Sequence, residues 1–297
     1  MASYLVYGDS AADMPAHYYQ EYDIRIIPME YMLNGVQNLF YTSDPEHDEI
    51  CKKLYEAEKI GADVSTTQIT PYNYIEHWTP ELEAGNDILY VCFSSGMSAT
   101  YDNVLMAIEQ LKEDFPERKI EAVDSLSGTA GQGLMTLMAA VNKEEKGMTL
   151  EENAAWLRNA AKYICHRFIV GDLNYLHKGG RVSKTAAVVG TMLNVRPGII
   201  IGEDGALDVV SKTRGTKAAI NKIVDASKRQ WGVEGLPEII FCNYCANTDE
   251  VPYFKEKLEE AFGPEVRIEF VALGPILAVH VGPSILSVCT WGKVKKE

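Results

Sequence analysis

The sequence predicts an α/β protein of two domains. A three-layer α/β/α domain with a parallel sheet is expected over residues 1–150, and an α+β domain with a mixed sheet over residues 151–297. The chain length of 297 residues allows two domains at roughly 150 residues each. In the first half, apolar runs without alternation precede helical patterns, which is typical of parallel strands covered on both faces. In the second half, a hairpin pattern interrupts this alternation of strands and helices. A hairpin pairs its strands antiparallel, so the second half is predicted to contain a mixed sheet.

The first half alternates strands and helices. Each predicted strand is a short apolar run, and each predicted helix carries apolar residues at helical spacing. The predicted strands cover residues 4–7, 24–31, 88–93 and 120–123, and Pro28 breaks the second of them. The predicted helices cover residues 48–58, 98–112 and 131–141.

The second half begins with the helix that marks the predicted domain boundary. This helix covers residues 150–164, and Thr149 with Glu152 forms a capping box at its start. Asp204-Gly205 predicts the turn of a hairpin over residues 199–214, because Asp-Gly is a strong hairpin signal. The remaining predicted elements are helices over residues 183–193, 216–230 and 249–262 and strands over residues 238–242, 266–271 and 284–291.

The charge balance excludes a general affinity for nucleic acid. The chain has 28 Lys and Arg against 42 Asp and Glu, a formal net charge of −14, whereas nucleic-acid binding needs a basic field. The most apolar stretch, residues 270–286, is interrupted by Gly and Pro, so we expect no membrane span. The apolar run at the N-terminus is too short for a signal peptide, and we therefore expect a cytoplasmic protein.

No metal or other cofactor is expected. Cys242 and Cys245 form a C-x-x-C pair, but no second C-x-x-C or H-x3-H follows to complete a zinc site. We interpret the pair as buried apolar residues at the end of a strand. Asp9, Asp13 and Asp124 offer carboxylates to Mg²⁺, yet their spacing is not a metal signature, and capping is the favoured role.

Four segments rich in Ser and Thr are candidate binding loops. Three of them follow a predicted strand and precede a helix, so they meet outside the carboxyl ends of the strands, where ligands bind in open α/β sheets. Helix N-termini and hydroxyl groups together suit an anionic oxygen group such as a carboxylate or phosphate. The alternative role is N-capping and turn formation. The segments are residues 9–10, 65–68, 94–100 and 124–129.

Two enzymatic alternatives remain open on these residues. A Ser-dependent esterase would use Ser95 with His280 as base, although neither Ser94 nor Ser95 lies in a G-x-S-x-G motif. A stand-alone phosphotransferase would use the Asp/Ser loops at the same strand ends. Residues 178–181 and Arg214 contribute to a basic island on this acidic chain, which is either solvated surface or a contact for a partner or a phosphate.

The motifs, taken in order, resemble those of the DegV family over essentially the whole chain. The longest match is the Y-L-H-K-G-G-R-V segment at residues 175–182, and H-V-G-P at residues 280–283 matches the family's H-x-G-P. The family's D-S-T-S-D-L-P, T-S-Q, S-S-G-L-S-G-T-Y, D-S, N-V-R-P and D-G motifs are similar to the segments at residues 9–15, 66–68, 94–101, 124–125, 194–197 and 204–205.

The resemblance implies a lipid-binding protein that holds one long-chain fatty acid in a tunnel between its two domains and performs no chemistry alone. It also implies a partner, the ATP-using subunit of a bacterial fatty acid kinase, because several family members are the acyl-carrying subunit of that kinase. In the family pattern, Thr66 and Ser95, with Ser94 adjacent, correspond to the residues that bind the carboxylate. His280 corresponds to a histidine near the head group.

The same resemblance makes Arg181 and Arg214 the candidates for contact with the kinase or the phosphate. Two positions depart from the family pattern. Thr67 stands where the family has Ser, which keeps the hydroxyl, and Ala99 stands where it has Gly. If position 99 needs a left-handed backbone, Ala there costs stability and reshapes the loop.

The acyl chain is expected to set the affinity of such a site. Each methylene moved into an apolar tunnel contributes about 0.8 kcal/mol, so a long chain contributes on the order of 10 kcal/mol gross. A hydroxyl contact contributes only about 1 kcal/mol net. The apolar stretches at residues 186–193 and 270–281 are the candidate tunnel linings, with plain core as the alternative.

Overall fold

The structure is a computed structural model that describes residues 4–183 and 194–293. In chain order, the elements of the first half are β1 (Tyr4–Asp9), α1 (Ala16–Glu21), β2 (Arg25–Ile27), β3 (Met29–Leu33), β4 (Val36–Phe40), α2 (His47–Lys59), β5 (Val64–Thr66), α3 (Pro71–Glu83), β6 (Asp87–Cys92), α4 (Thr100–Asp114), β7 (Ile120–Asp124) and α5 (Thr129–Glu144). Those of the second half are α6 (Leu150–Ala160), β8 (Ile164–Ile169), α7 (Asn174–Lys178), β9 (Val195–Ile201), β10 (Leu207–Arg214), α8 (Thr216–Gln230), β11 (Ile239–Tyr244), α9 (Val251–Phe262), β12 (Arg267–Ala272), α10 (Pro275–Val281) and β13 (Leu286–Trp291).

A four-stranded parallel sheet of order β2-β1-β6-β7 forms the centre of the first half. β1 and β6 are buried along their whole length, which explains why their apolar runs do not alternate. On one face, Leu5 and Tyr7 belong to the core cluster that includes residues of α3 and α4. On the other, Tyr4 and Val6 pack with α5 and α6. The predicted three-layer arrangement is confirmed.

The strand predicted over residues 24–31 is two strands in two different sheets. β2 ends at Ile27, and β3 begins at Met29 in a small antiparallel sheet of order β4-β3-β5. Pro28 separates them, because it has no N–H to donate to a ladder. The prediction of one strand was therefore wrong, and the small sheet that carries Thr66 at the end of β5 was missed.

The second half contains a six-stranded mixed sheet of order β10-β9-β8-β13-β11-β12. The predicted hairpin is confirmed by the antiparallel pairing of β9 with β10. The capping box of Thr149 and Glu152 starts α6 as predicted, but the helix ends at Ala160 and β8 begins at Ile164. Apart from Ser183, the helix predicted over residues 183–193 lies outside the described residues, as does the tunnel lining proposed for residues 186–193.

Helix α5 lies between the two larger sheets. It contacts β1 and β6 of the parallel sheet and β8, β11 and β13 of the mixed sheet, and nearly all of its residues are buried. The division into domains at residue 150 stays a prediction. No helix in the described ranges combines the length and apolarity needed to cross a bilayer.

Candidate functional site

A cavity of about 420 Å³ lies among the strand-end loops of the parallel sheet, the mixed sheet and helices α7 and α10. This volume is in the range of small-molecule sites, roughly 300–1,000 Å³. Its wall is mainly apolar, with a few polar side chains. The apolar lining residues are Ala11, Met29, Phe93, Met97, Ala99, Phe168, Leu176, Ile201, Leu207, Ile276, Leu277, Val281 and Ile285. The polar ones are Thr66, Thr67, Gln68, Ser98, Thr129, His166, Arg181 and His280.

Thr66 and His280 meet in the wall of this cavity. The Oγ1 atom of Thr66 lies 2.8 Å from Nε2 of His280, although the two residues are 214 positions apart in the chain. Their elements bring them together, because α10 packs against β5. Burial, and then the nearby positive charge of Arg181, lowers the pKa of His280 to about 4. The imidazole is therefore neutral at pH 7, and it can donate or accept one hydrogen bond at Nε2.

Arg181 places a positive charge at the same part of the wall. Its guanidinium donates to the carbonyl of Gly179, and burial lowers its pKa. A Cβ atom on Gly179 would come within 2.9 Å of His280 Nδ1, so the glycine allows this turn to approach the imidazole closely. Among the described residues, no carboxylate forms an ion pair with Arg181. Its charge is thus available to an anionic ligand.

Ser94 and Ser95 are not in the cavity wall. Ser94 is completely buried, and its hydroxyl donates to the carbonyl of Gly205 over 2.8 Å. Ser95 is exposed, and its backbone N–H donates to Asp124 Oδ1 over 3.3 Å. Arg214 is also exposed, at the end of β10, and does not line the cavity. Of the residues predicted for the site, the structure therefore brings together Thr66, His280 and Arg181 only.

The loop that follows β6 contributes different residues to the wall. Its first part docks on the turn between β9 and β10, since a Cβ on Gly96 would lie 2.5 Å from the backbone of Asp204 and Gly205. As a result, Ser98 and Ala99 face the cavity in place of Ser95. Ala99 has a φ of −77°, so this position needs no left-handed backbone, and the expected cost of Ala there is absent.

Thr129 and His166 form a second polar pair of the wall. Thr129 Oγ1 lies 3.5 Å from His166 Nε2, and Thr129 adopts a positive φ of 49° while its N–H donates to the carbonyl of Ala11. Thr129 belongs to one of the hydroxyl-rich segments, which is the sequence signal that indicates it. His166 lies in the buried strand β8, where no sequence pattern distinguishes it from core.

The acidic residues considered for Mg²⁺ have structural partners. Asp9 is buried and accepts from the hydroxyl of Tyr90 over 2.6 Å and from the N–H of Ala11 over 2.9 Å. Asp13 accepts from the N–H of Gly274 and faces His47 at 4.0 Å. Within residues 4–183 and 194–293, no three His, Cys, Asp or Glu residues are grouped as metal ligands.

Comparison with known proteins places the chain in a family. The sequence profile of the DegV family, described as uncharacterised proteins, matches residues 4–293. The chain belongs to the DegV family. A DegV domain-containing protein of Clostridium perfringens is 27% identical to it over 297 residues, with 100% of both chains covered.

Solved DegV structures share the fold described above. A fatty-acid-binding DegV family protein from Thermus thermophilus superimposes with a TM-score of 0.82 at 25% identity, covering 99% of this chain and 100% of its own. The fatty acid kinase (Fak) B3 protein of Streptococcus pneumoniae, loaded with linoleic acid, superimposes with a TM-score of 0.80 at 18% identity, covering 98% and 100%. The predicted DegV-like fold class is thereby confirmed.

Proposed function

We propose that this DegV protein binds a long-chain fatty acid and presents its carboxylate to a separate, ATP-using kinase subunit. The acyl chain occupies the 420 Å³ cavity, between domains divided near residue 150. The main support for the proposal is the wall of the cavity, which is mainly apolar and contains the hydrogen-bonded pair of Thr66 and His280. The fatty acid binding of the Thermus thermophilus relative supports it.

The apolar wall supplies the affinity. At about 0.8 kcal/mol per methylene, burial of a long acyl chain contributes on the order of 10 kcal/mol gross, several times the contribution of the head-group hydrogen bonds. Aromatic and branched side chains such as Phe93, Phe168 and Ile276 contribute the apolar surface that this burial needs. The occupant is therefore a molecule with a long apolar part and one polar end.

The polar pair orients the carboxylate. Thr66 Oγ1 and His280 Nε2 lie close enough for two oxygens of one carboxylate to reach both. Ser98 is the serine of its loop that lines the same cavity, and its hydroxyl, which is hydrogen-bonded to Thr100 Oγ1 over 2.8 Å, can turn to the carboxylate instead. We assign the head group to Thr66, His280 and Ser98, which replaces the assignment to Ser94 and Ser95.

The chemical step belongs to the partner. In that step a carboxylate oxygen attacks the γ-phosphoryl group of ATP, and ADP leaves. Arg181 stabilises the added negative charge, since hydrogen bonds between a guanidinium and a phosphoryl group are charge-assisted. Arg214 is exposed at the end of β10 and is the proposed contact with the kinase surface.

The esterase alternative lacks its catalytic pair. The Ser94 hydroxyl is occupied by the Gly205 carbonyl. In the described part of the chain, no hydrogen bond joins Ser95 to His280, and Ser95 does not line the cavity that His280 lines. The carrier role agrees with this arrangement.

Native mass spectrometry of the protein purified from cells tests fatty acid binding. We expect the mass of one long-chain fatty acid on each chain, and a chain that stays empty after incubation with oleic acid contradicts the proposal. The pure protein is then incubated with ATP and oleic acid. We expect no ADP, and turnover without a second protein contradicts the carrier role. With a fatty acid kinase subunit added, Arg181→Gln is expected to retain the lipid but slow ADP release.

A further inference from the structure

A second cavity, of about 360 Å³, lies on the other side of His280. It is formed where α10 packs against α2, α7 and β5, and His280 is part of the wall of both cavities. Its wall contains the apolar side chains of Ala62, Val64 and Val279 and the ring of Tyr175. The proposed fatty acid site leaves this cavity without a role.

Glu58, near the end of α2, lies in the wall of the second cavity. Its side chain is 5% exposed, and neither carboxyl oxygen has a hydrogen-bond partner in the described part of the protein. A buried carboxyl group without partners is costly, and native proteins nearly always provide one. Because Glu58 lines the cavity, a ligand bound there can be that partner.

Lys178, at the end of α7, lines the same cavity from its exposed side. It forms no ion pair with Glu58, since no contact within 4.0 Å joins them among the described residues. One cavity thus presents a carboxylate at a buried position and an ammonium group at an exposed position, together with apolar side chains in its wall. A ligand carrying only one charge would be repelled by one of the two groups, whereas a zwitterion satisfies both.

We propose that the second cavity binds a small zwitterion of the α-amino acid class with an apolar side chain, its ammonium group on Glu58 and its carboxylate on Lys178. The side chain of the ligand packs against Val64 and Val279. The volume of the cavity, about 360 Å³, accommodates a molecule of this class. The inference does not depend on the fatty acid function, because it uses residues that the fatty acid does not contact, apart from the shared wall at His280.

The test is isothermal titration calorimetry of the full chain with L-leucine at pH 8, which measures the dissociation constant. Burial raises the pKa of Glu58 to about 7, so the carboxyl group is ionised there. The titratable groups around Glu58 are Lys178, Tyr175, His280 and Cys245, and none of them introduces a second acidic charge below pH 8. Leucinol, which lacks the carboxylate, and 4-methylpentanoate, which lacks the ammonium group, are the comparison ligands.

We expect leucine to bind. Each comparison ligand should have a dissociation constant at least about tenfold higher, which corresponds to a loss of about 1.4 kcal/mol of binding free energy. Glu58→Gln and Lys178→Gln should each weaken leucine binding by a similar factor. Both variants should keep their fatty acid, which native mass spectrometry checks independently. An absence of leucine binding by the unmodified protein, or an unchanged dissociation constant in Glu58→Gln, overturns the proposal.

Discussion

Replacing Thr66 by Val removes one head-group donor and leaves the shape of the cavity almost unchanged. The hydroxyl lies 2.8 Å from His280 Nε2, so the substitution also leaves this nitrogen without that partner. A hydrogen bond to a charged group contributes about 1.5–3 kcal/mol. We therefore expect the dissociation constant for oleic acid to rise roughly 10- to 150-fold. Binding should remain measurable, because the acyl chain contributes on the order of 10 kcal/mol gross.

Titration of delipidated protein with a fluorescent fatty acid, and competition by oleic acid, measures this change. Thr67→Val is the matched control, because Thr67 also lines the cavity but its hydroxyl donates to Glu30 over 3.3 Å. We expect its dissociation constant to change by less than about twofold. Equal effects of the two substitutions, or an unchanged constant in a folded Thr66→Val, would refute the assignment of the head group.

Three further substitutions test other parts of the structure. Glu58→Gln should raise stability at pH 8 by up to about 3 kcal/mol, because burial raises the pKa of Glu58 from 4.5 to about 7. The gain falls as the pH is lowered through 7 and is absent below about 4.5, where Glu58 is protonated in both the folded and the unfolded protein. Urea titrations measure the difference in unfolding free energy between the variant and the unmodified protein, and an equal difference at pH 8 and pH 4 would contradict this prediction. Gly96→Ala should lower stability by about 1–3 kcal/mol and weaken fatty acid binding, because the added Cβ would lie 2.5 Å from the backbone of Asp204. An unchanged melting temperature would show that the turn between β9 and β10 does not hold the loop after β6. Leu277→Trp should fill the cavity and abolish lipid loading in a folded protein. If native mass spectrometry still finds one fatty acid on this variant, the acyl chain binds elsewhere.

Local patterns were sufficient for the parallel sheet but not for the small sheet. β1 and β6 are buried on both faces, so their apolar runs are continuous and recognisable. β4 has five residues and β5 has three, and only one of the eight is fully buried, so they carry no continuous apolar run. α6 and β8 are separated only by a single 3-10 turn at Ala161–Tyr163, which is why the helix was predicted too long.

The site shows the same division between local and long-range information. Motifs identified Thr66, His280 and Arg181, but their meeting depends on the packing of α10 on β5, which no local spacing encodes. The choice between Ser95 and Ser98 depends on how the loop after β6 docks on the turn at Asp204 and Gly205. That contact joins segments more than a hundred positions apart, so the sequence pattern could not decide which hydroxyl faces the cavity.

The protonation state of His280 bears on how a carrier can hold a carboxylate that must still react. Because its pKa is lowered to about 4, the imidazole is neutral at pH 7, so Thr66 and His280 offer neutral hydrogen-bond donors to the proposed carboxylate. A full ion pair would bind the carboxylate more strongly but would also withdraw electron density from the oxygen that attacks ATP. Neutral donors leave that oxygen nucleophilic, while the apolar wall provides the affinity they do not. In the proposed transfer step, the positive charge of Arg181 would act where negative charge is added, on the phosphoryl group.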